Sequence, residues 1–173
     1  MPLPAGSPTV VACVRTVEAT GRTTWAPSDW GPVALGYPAG VLRLDPQVHV
    51  EMLAHALQGL PLEACGLFSG DAEGNVRTFY PCANAAESST VYTVAPMDHL
   101  RADRDAESHG LQIIGVMHSH THTDAYPSPT DVAAAPDPDW HYVIVSLRED
   151  EPMLRSYRIV DGNIAEEQVV LGE

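Results

Sequence analysis

Two histidines, His118 and His120, stand two residues apart at the end of the near-continuous apolar run LQIIGVM. Side chains two apart on a strand share a face, so both imidazoles can reach one ion. Neutral imidazole is a good zinc ligand, and a catalytic zinc takes three protein ligands and keeps one position open. Asp131, eleven residues after His120, can supply the third. A second reading exists for that acid. Ser128-Pro129-Thr130-Asp131 is also a helix-start pattern, with Ser as cap, Pro at the first helical position and an acid two residues later. On that reading Asp131 only steadies a helix, and Ser128 fits either role. Two histidines on one strand face, followed by a loop and a capped acid, favour the metal.

These residues need elements to hold them. VLRL at 41–44 predicts a short strand, and Asp45-Pro46 opens a helix. Val48, Met52, Ala56 and Leu60 recur at helical spacing, and Gly59 and Pro61 end the helix. ACGLFSG predicts a strand, Asp71 to Gly74 its turn, VRTFYPC the next strand and STVYTV another. Pro96 to His109 reads as an acidic helix, and LQIIGVMH as a strand buried on both faces. Ser128 to Ala135 is a short helix, and HYVIVSL, LRSYRIV and NIAEEQVVL are closing strands. The pattern predicts a mixed α/β domain, with helices against one curved sheet.

His118, His120, Ser128 and Asp131 fill the pattern H-x-H, seven residues, S, two residues, D. This resembles the signature of the JAMM (MPN+) metalloproteases. That family also needs an upstream glutamate in a strand that begins E-x-x-G or E-A-C-G, and Glu63-Ala-Cys-Gly66 supplies one. The resemblance covers residues 41 to 173. Within the family, HSHT, AYPS, HYVIVS and LRSYRIVDG are similar to peptidases that release cysteine from a sulfur-carrier protein. Thr121 after H-S-H agrees with that group; His122 departs from it and reads as a solvated loop residue, with a substrate contact as the alternative. The resemblance implies a JAMM/MPN fold and a bound Zn2+. It implies Glu63 as general base and Ser128 as a donor to the oxyanion. The implied substrate is a ubiquitin-like carrier ending in Gly-Gly-Cys, cut after the second Gly. Two alternatives remain: deconjugation of another ubiquitin-like modifier, and a metal-free scaffold of the kind that has lost its ligands.

Composition narrows the partners. The chain has 173 residues and a formal net charge of -14. A phosphate backbone or an anionic membrane needs a basic face, so neither nucleic acid nor membrane is an expected partner. All nine basic residues are arginine. Cys13, Cys65 and Cys82 include no close pair, which predicts a reducing, cytoplasmic setting. No H-E-x-x-H, P-loop or G-x-G-x-x-G occurs, and Pro81-Cys82 lacks the second Cys of a zinc deaminase. Cys65 reads as a small core residue. His49, His55, His99 and His109 are expected to face solvent, and His141 is given no role. Residues 1–40 are rich in Pro, Gly, Thr and Ala and show no sustained period. They read as an extension, either loose or docking through Trp25, Trp30 and Tyr37. The catalytic domain is expected over 41–173.

Overall fold

A computed structural model describes residues 13–17, 23–27 and 40–172, apart from residue 72. The chain divides into two compact units, Met1–Pro38 and Ala39–Glu173. In the first, β1 (Cys13–Val17) and β2 (Thr23–Pro27) pair antiparallel, regular structure that the composition did not announce. The docking suggested for Trp25, Trp30 and Tyr37 concerns side chains outside the described residues.

The second unit holds β3 (Val41–Leu44), α1 (Pro46–Gly59), β4 (Cys65–Gly70), β5 (Asn75–Cys82), α2 (Pro96–Ser108) and β6 (Gln112–His120). It continues with α3 (Pro129–Ala134), β7 (His141–Ser146), β8 (Met153–Val160) and β9 (Asn163–Leu171). The strands run β3-β5-β4-β6-β7-β8-β9, and β3 pairs with β9 in parallel. The curved sheet expected from the sequence thus closes into a barrel. The β3–β5 and β6–β7 pairs are also parallel, and the rest are antiparallel. Among the described residues no helix is long and apolar enough to cross a membrane.

Strands β4 and β7 are buried at every residue, and β6 is buried from Ile114 onward. The alternation of side chains sends their two faces into two cores. Phe68, Met117, Val143 and Val145 pack with Val48, Met52 and Ala56 of α1. Leu67, Val116, Tyr142 and Ile144 pack with Ala102 of α2, with Val132 of α3 against them. Helix α1 starts as its sequence dictates: Pro46 occupies the first turn, and the Asp45 carboxylate accepts from the Gln47 N–H at 2.8 Å. At its end, a Cβ on Gly59 would stand 2.8 Å from the Ala64 Cβ. That absence lets the helix end press against the residue before β4. Gly66 does the same between strands, where a Cβ would lie 2.5 Å from the Phe79 ring.

One expected strand does not form. Residues 89–94 make no ladder, and only an isolated Asn84–Val94 bridge joins this stretch to its neighbourhood. β-Branched residues favour a strand, but side-chain hydrogen bonds have taken the backbone groups a ladder would use. Four histidine assignments also change. His109 is exposed, whereas His49, His55 and His99 are half-buried, His55 with a ring nitrogen 2.9 Å from the Cys65 carbonyl and its ring edge-on to Phe79. His141 is buried. Its Nδ1 donates to Glu167 at 2.7 Å, and Glu167 also accepts from Ser156 and Arg158 at 2.8 Å each. Nothing in the sequence links His141 to Glu167. The pairing of β7, β8 and β9 brings them together.

Candidate metal centre

His118 and His120 end β6 on the face that looks toward α2 and α3, and both are buried. Their Nε2 atoms lie 3.1 Å apart. The Asp131 carboxylate faces both, Oδ1 at 3.4 Å from His118 Nε2 and Oδ2 at 3.4 Å from His120 Nε2. Among the described residues these three form a set whose donor atoms all lie within 4.8 Å of one another.

Helix α3 presents Asp131. Ser128 caps it: the Asp131 N–H donates to Ser128 Oγ at 3.2 Å, and the Ser128 N–H donates to Asp131 Oδ2 at 2.7 Å. The two readings of the sequence are therefore compatible, because one carboxylate closes the capping box and faces both imidazoles. Ser128 Oγ accepts in this box and keeps its own proton to donate.

The donor set fits a divalent cation such as zinc. His120 Nδ1 lies 2.8 Å from the Asp124 carbonyl, which can only accept, so Nδ1 carries the proton and Nε2 a lone pair. A lone-pair nitrogen and a carboxylate at this spacing repel unless a cation lies between them. Ligands at about 2.0–2.1 Å from a tetrahedral zinc stand about 3.3–3.4 Å from one another. The observed separations of 3.1 and 3.4 Å match that edge length. His118 Nδ1 has no partner among the described residues, and the Tyr92 ring stacks on His118 at 4.3 Å.

The charges agree. Burial raises the Asp131 pKa, but the two facing imidazoles and the Ser128 cap hold its carboxyl well below the usual range. Burial lowers the His118 pKa despite Asp131. His120 is also pulled down by burial, but Asp131 and the Asp124 carbonyl raise it overall. Both shifts of Asp131 and His118 favour the forms that bind a metal.

Glu63 lies just before β4, 5% exposed. Burial pushes its pKa up to about 7; His120 works against the rise and Asp131 adds to it. The link between Glu63 and the histidines runs through Ser119, the residue between them, which the sequence reading passed over. Ser119 Oγ accepts from the Ala64 N–H at 2.8 Å, and the Ser119 N–H donates to the Ala64 carbonyl at 2.9 Å. Because Ser119 points to the opposite face from its neighbours, its side chain can grip the start of β4 while the imidazoles face the centre. A small polar residue between two ligands was the only available signal. Cys65 sits in the second core, its pKa pushed up to about 12 by burial and by Cys82, Asp98 and Glu63. A thiol so shifted is no nucleophile. His122 is exposed and enters none of these contacts.

Comparison with known proteins agrees with this geometry. Residues 45–160 match the family described as prokaryotic homologs of the JAB domain. The chain is 46% identical over 121 residues to the CysO-cysteine peptidase of Mycobacterium tuberculosis, covering 68% of this chain and 82% of that one. It is 33% identical over 111 residues to the desampylase of Haloferax volcanii, covering 61% and 80%. A Desulfitobacterium hafniense protein solved in solution superposes with a TM-score of 0.71 at 38% identity, over 76% of this chain and 93% of that one. With the matched segment reaching from the N-cap of α1 to the end of β8, the chain belongs to the prokaryotic JAB family, the JAMM/MPN fold.

Proposed function

We propose that the protein is a zinc metallopeptidase that hydrolyses the amide bond after the C-terminal Gly-Gly of a ubiquitin-like sulfur-carrier protein and releases cysteine. The observation that carries the chemistry is a buried, proton-hungry Glu63 beside a closed set of two Nε2 atoms and one carboxylate. The carrier reading rests on resemblance: on the motifs HSHT, AYPS and LRSYRIVDG, and on the mycobacterial relative that is a CysO-cysteine peptidase. The fit with a carrier that ends in Gly-Gly-Cys, and a place in cysteine formation in the cytoplasm, follow from the same resemblance.

His118, His120 and Asp131 would hold the zinc, which when bound supplies a Lewis acid and an acidified water. Glu63 takes the proton of the attacking water; a carboxylate tuned near the working pH suits that task. Ser128 donates its free O–H proton to the oxygen on which negative charge develops. Glu63 then hands its proton to the departing amine of cysteine.

A carrier protein ending in Gly-Gly-Cys, incubated with the enzyme and weighed by mass spectrometry, should lose one cysteine residue. Survival of that carrier at full mass would overturn the reading. The desampylase relative supports a second reading, removal of a ubiquitin-like modifier from an amine on another protein. A carrier joined through a lysine side chain, assayed in parallel, separates the two.

A further inference from the structure

The irregular segment between β5 and α2, residues 83–95, touches both halves of the site. Its Tyr92 ring covers His118. Its Ser89 carbonyl accepts from the Thr121 hydroxyl at 3.2 Å, one residue past His120. Its Ser88 carbonyl accepts from the Glu63 N–H at 2.9 Å. No ladder holds the segment itself, since a single bridge is all the regular pairing it has.

Asn84 holds it. The Asn84 amide donates to the Glu63 carbonyl at 2.9 Å and the Val91 carbonyl at 3.1 Å, with a longer contact to the Ser88 carbonyl at 3.4 Å. Its Oδ1 accepts from the Ala86 and Thr93 N–H groups, both at 3.0 Å. The orientation is unambiguous, because a flipped amide would set oxygen against three carbonyls and N–H against N–H. The side chain therefore spends its full hydrogen-bonding capacity on backbone, and part of it on the main chain of Glu63.

We propose that Asn84 is the positioning residue of the general base; this rests on the role given above to Glu63. Glu63 stands before the first rung of β4, so its own N–H and carbonyl find their partners in segment 84–93: the Ser88 carbonyl and the Asn84 amide. Asn84 also fixes where Tyr92 lies, through Val91 and Thr93 on either side of it. It touches neither a metal ligand nor the reacting atoms. His118 and His120 are held separately, within β6 between β4 and β7. Loss of the Asn84 donors should therefore free the base and leave the metal set in place. A misplacement of about 1 Å costs roughly 10²-fold in rate.

The test is a double-mutant cycle on the full chain, with Asn84→Asp, Glu63→Gln and the pair. Asn84→Asp keeps the shape and the acceptor and removes both donors. Cleavage of a Gly-Gly-Cys carrier, zinc content and amide hydrogen exchange are measured on each protein. Asn84→Asp should retain zinc and lose about 10–10²-fold in turnover where Glu63 is present. In the Glu63→Gln background the same change should alter the residual rate less than about twofold. Exchange should quicken in peptides covering residues 60–66 and 84–94 and stay unchanged over residues 112–117 of β6. Equal rate losses in the two backgrounds, or unchanged exchange at 60–66, would overturn the proposal. A parent protein that leaves the carrier intact refutes the substrate reading alone, and the exchange result still decides on Asn84. Should Asn84→Asp fail to fold, Asn84→Ser carries the same readouts, with one donor left.

Discussion

The proposed chemistry would run through a carboxylate held against its preference for water. Glu63 is nearly sealed, and its pKa rises to about 7. Glu63→Gln keeps shape and burial and removes the base. It should retain about one zinc per chain and lower carrier cleavage by ~10²–10⁴. His120→Ala removes a ligand instead, so the zinc content itself should fall, as elemental analysis would show. A Glu63→Gln protein with full zinc and full activity would refute the assigned base. The same burial has a signature in stability. In chelated protein the folded state holds the Glu63 proton to higher pH than the unfolded chain does. Its contribution is therefore lost as pH rises from about 4.5 through about 7. Metal-free Glu63→Gln should be more stable than metal-free parent at pH 8, by up to about 3 kcal/mol, with the gap closing below pH 4.5. Asp131, held low, acts in the opposite sense and loses its contribution as acid is added. Urea unfolding at the two pH values reads the difference, and a gap that widens toward low pH would contradict the assignment.

At the level of elements, the start of β4 is fastened from two sides. Ser119 on β6 grips Ala64, and segment 84–93 grips Glu63. Ser119→Ala removes a hydroxyl that accepts from a buried N–H. The orphaned donor should cost about 1–3 kcal/mol, seen as a lower urea midpoint at unchanged slope. A midpoint equal to the parent's would mean that Ala64 finds another partner. Helix α3 shows how one short sequence can serve two ends. Six residues would make a weak helix alone, but Ser128 and Asp131 close a capping box while the same carboxylate faces the imidazoles. Ser89–Val94 was legible as extended backbone and illegible as a loop. Strand propensity is a statement about side chains on a pleated surface. It carries no information that an asparagine several residues earlier will claim the carbonyls and N–H groups.

Across the whole domain, closure of the barrel depends on β9 meeting β3, and a buried polar cluster lies at that join. Glu167 on β9 accepts from His141 on β7 and from Ser156 and Arg158 on β8, and a Cβ on Gly40 would run into its carboxylate. Burial pushes the Glu167 pKa up, yet His141 and Arg158 bring it below its ordinary value. Glu167→Gln would leave the Arg158 charge without its counter-charge. The cost should be about 3 kcal/mol, toward the low end for a broken buried pair because Arg158 retains some solvent contact. A thermal midpoint within a degree of the parent's would refute this. The candidate site residues Glu63, His118, His120, Ser128 and Asp131 all lie in the unit Ala39–Glu173. A chain starting at Ala39 should keep its zinc and its carrier cleavage, and loss of either would assign the unit Met1–Pro38 a part in the catalytic domain.

The candidate site was readable in one dimension because its residues lie in two short segments. A histidine pair at strand spacing and a capped acid obey local rules of geometry, and the E-A-C-G stretch stands out by its resemblance to the family motif. The strands that carry them announce themselves by apolar runs, because β4, β6 and β7 bury both faces. Only tertiary structure decided the rest. Barrel closure, the grip of Ser119 on Ala64, the hub at Asn84 and the His141–Glu167 pair join residues far apart in the chain or in separate elements. Their partners are chosen by register and packing. No spacing rule in the sequence encodes which backbone carbonyl will stand within 3 Å of a given amide once the strands have paired.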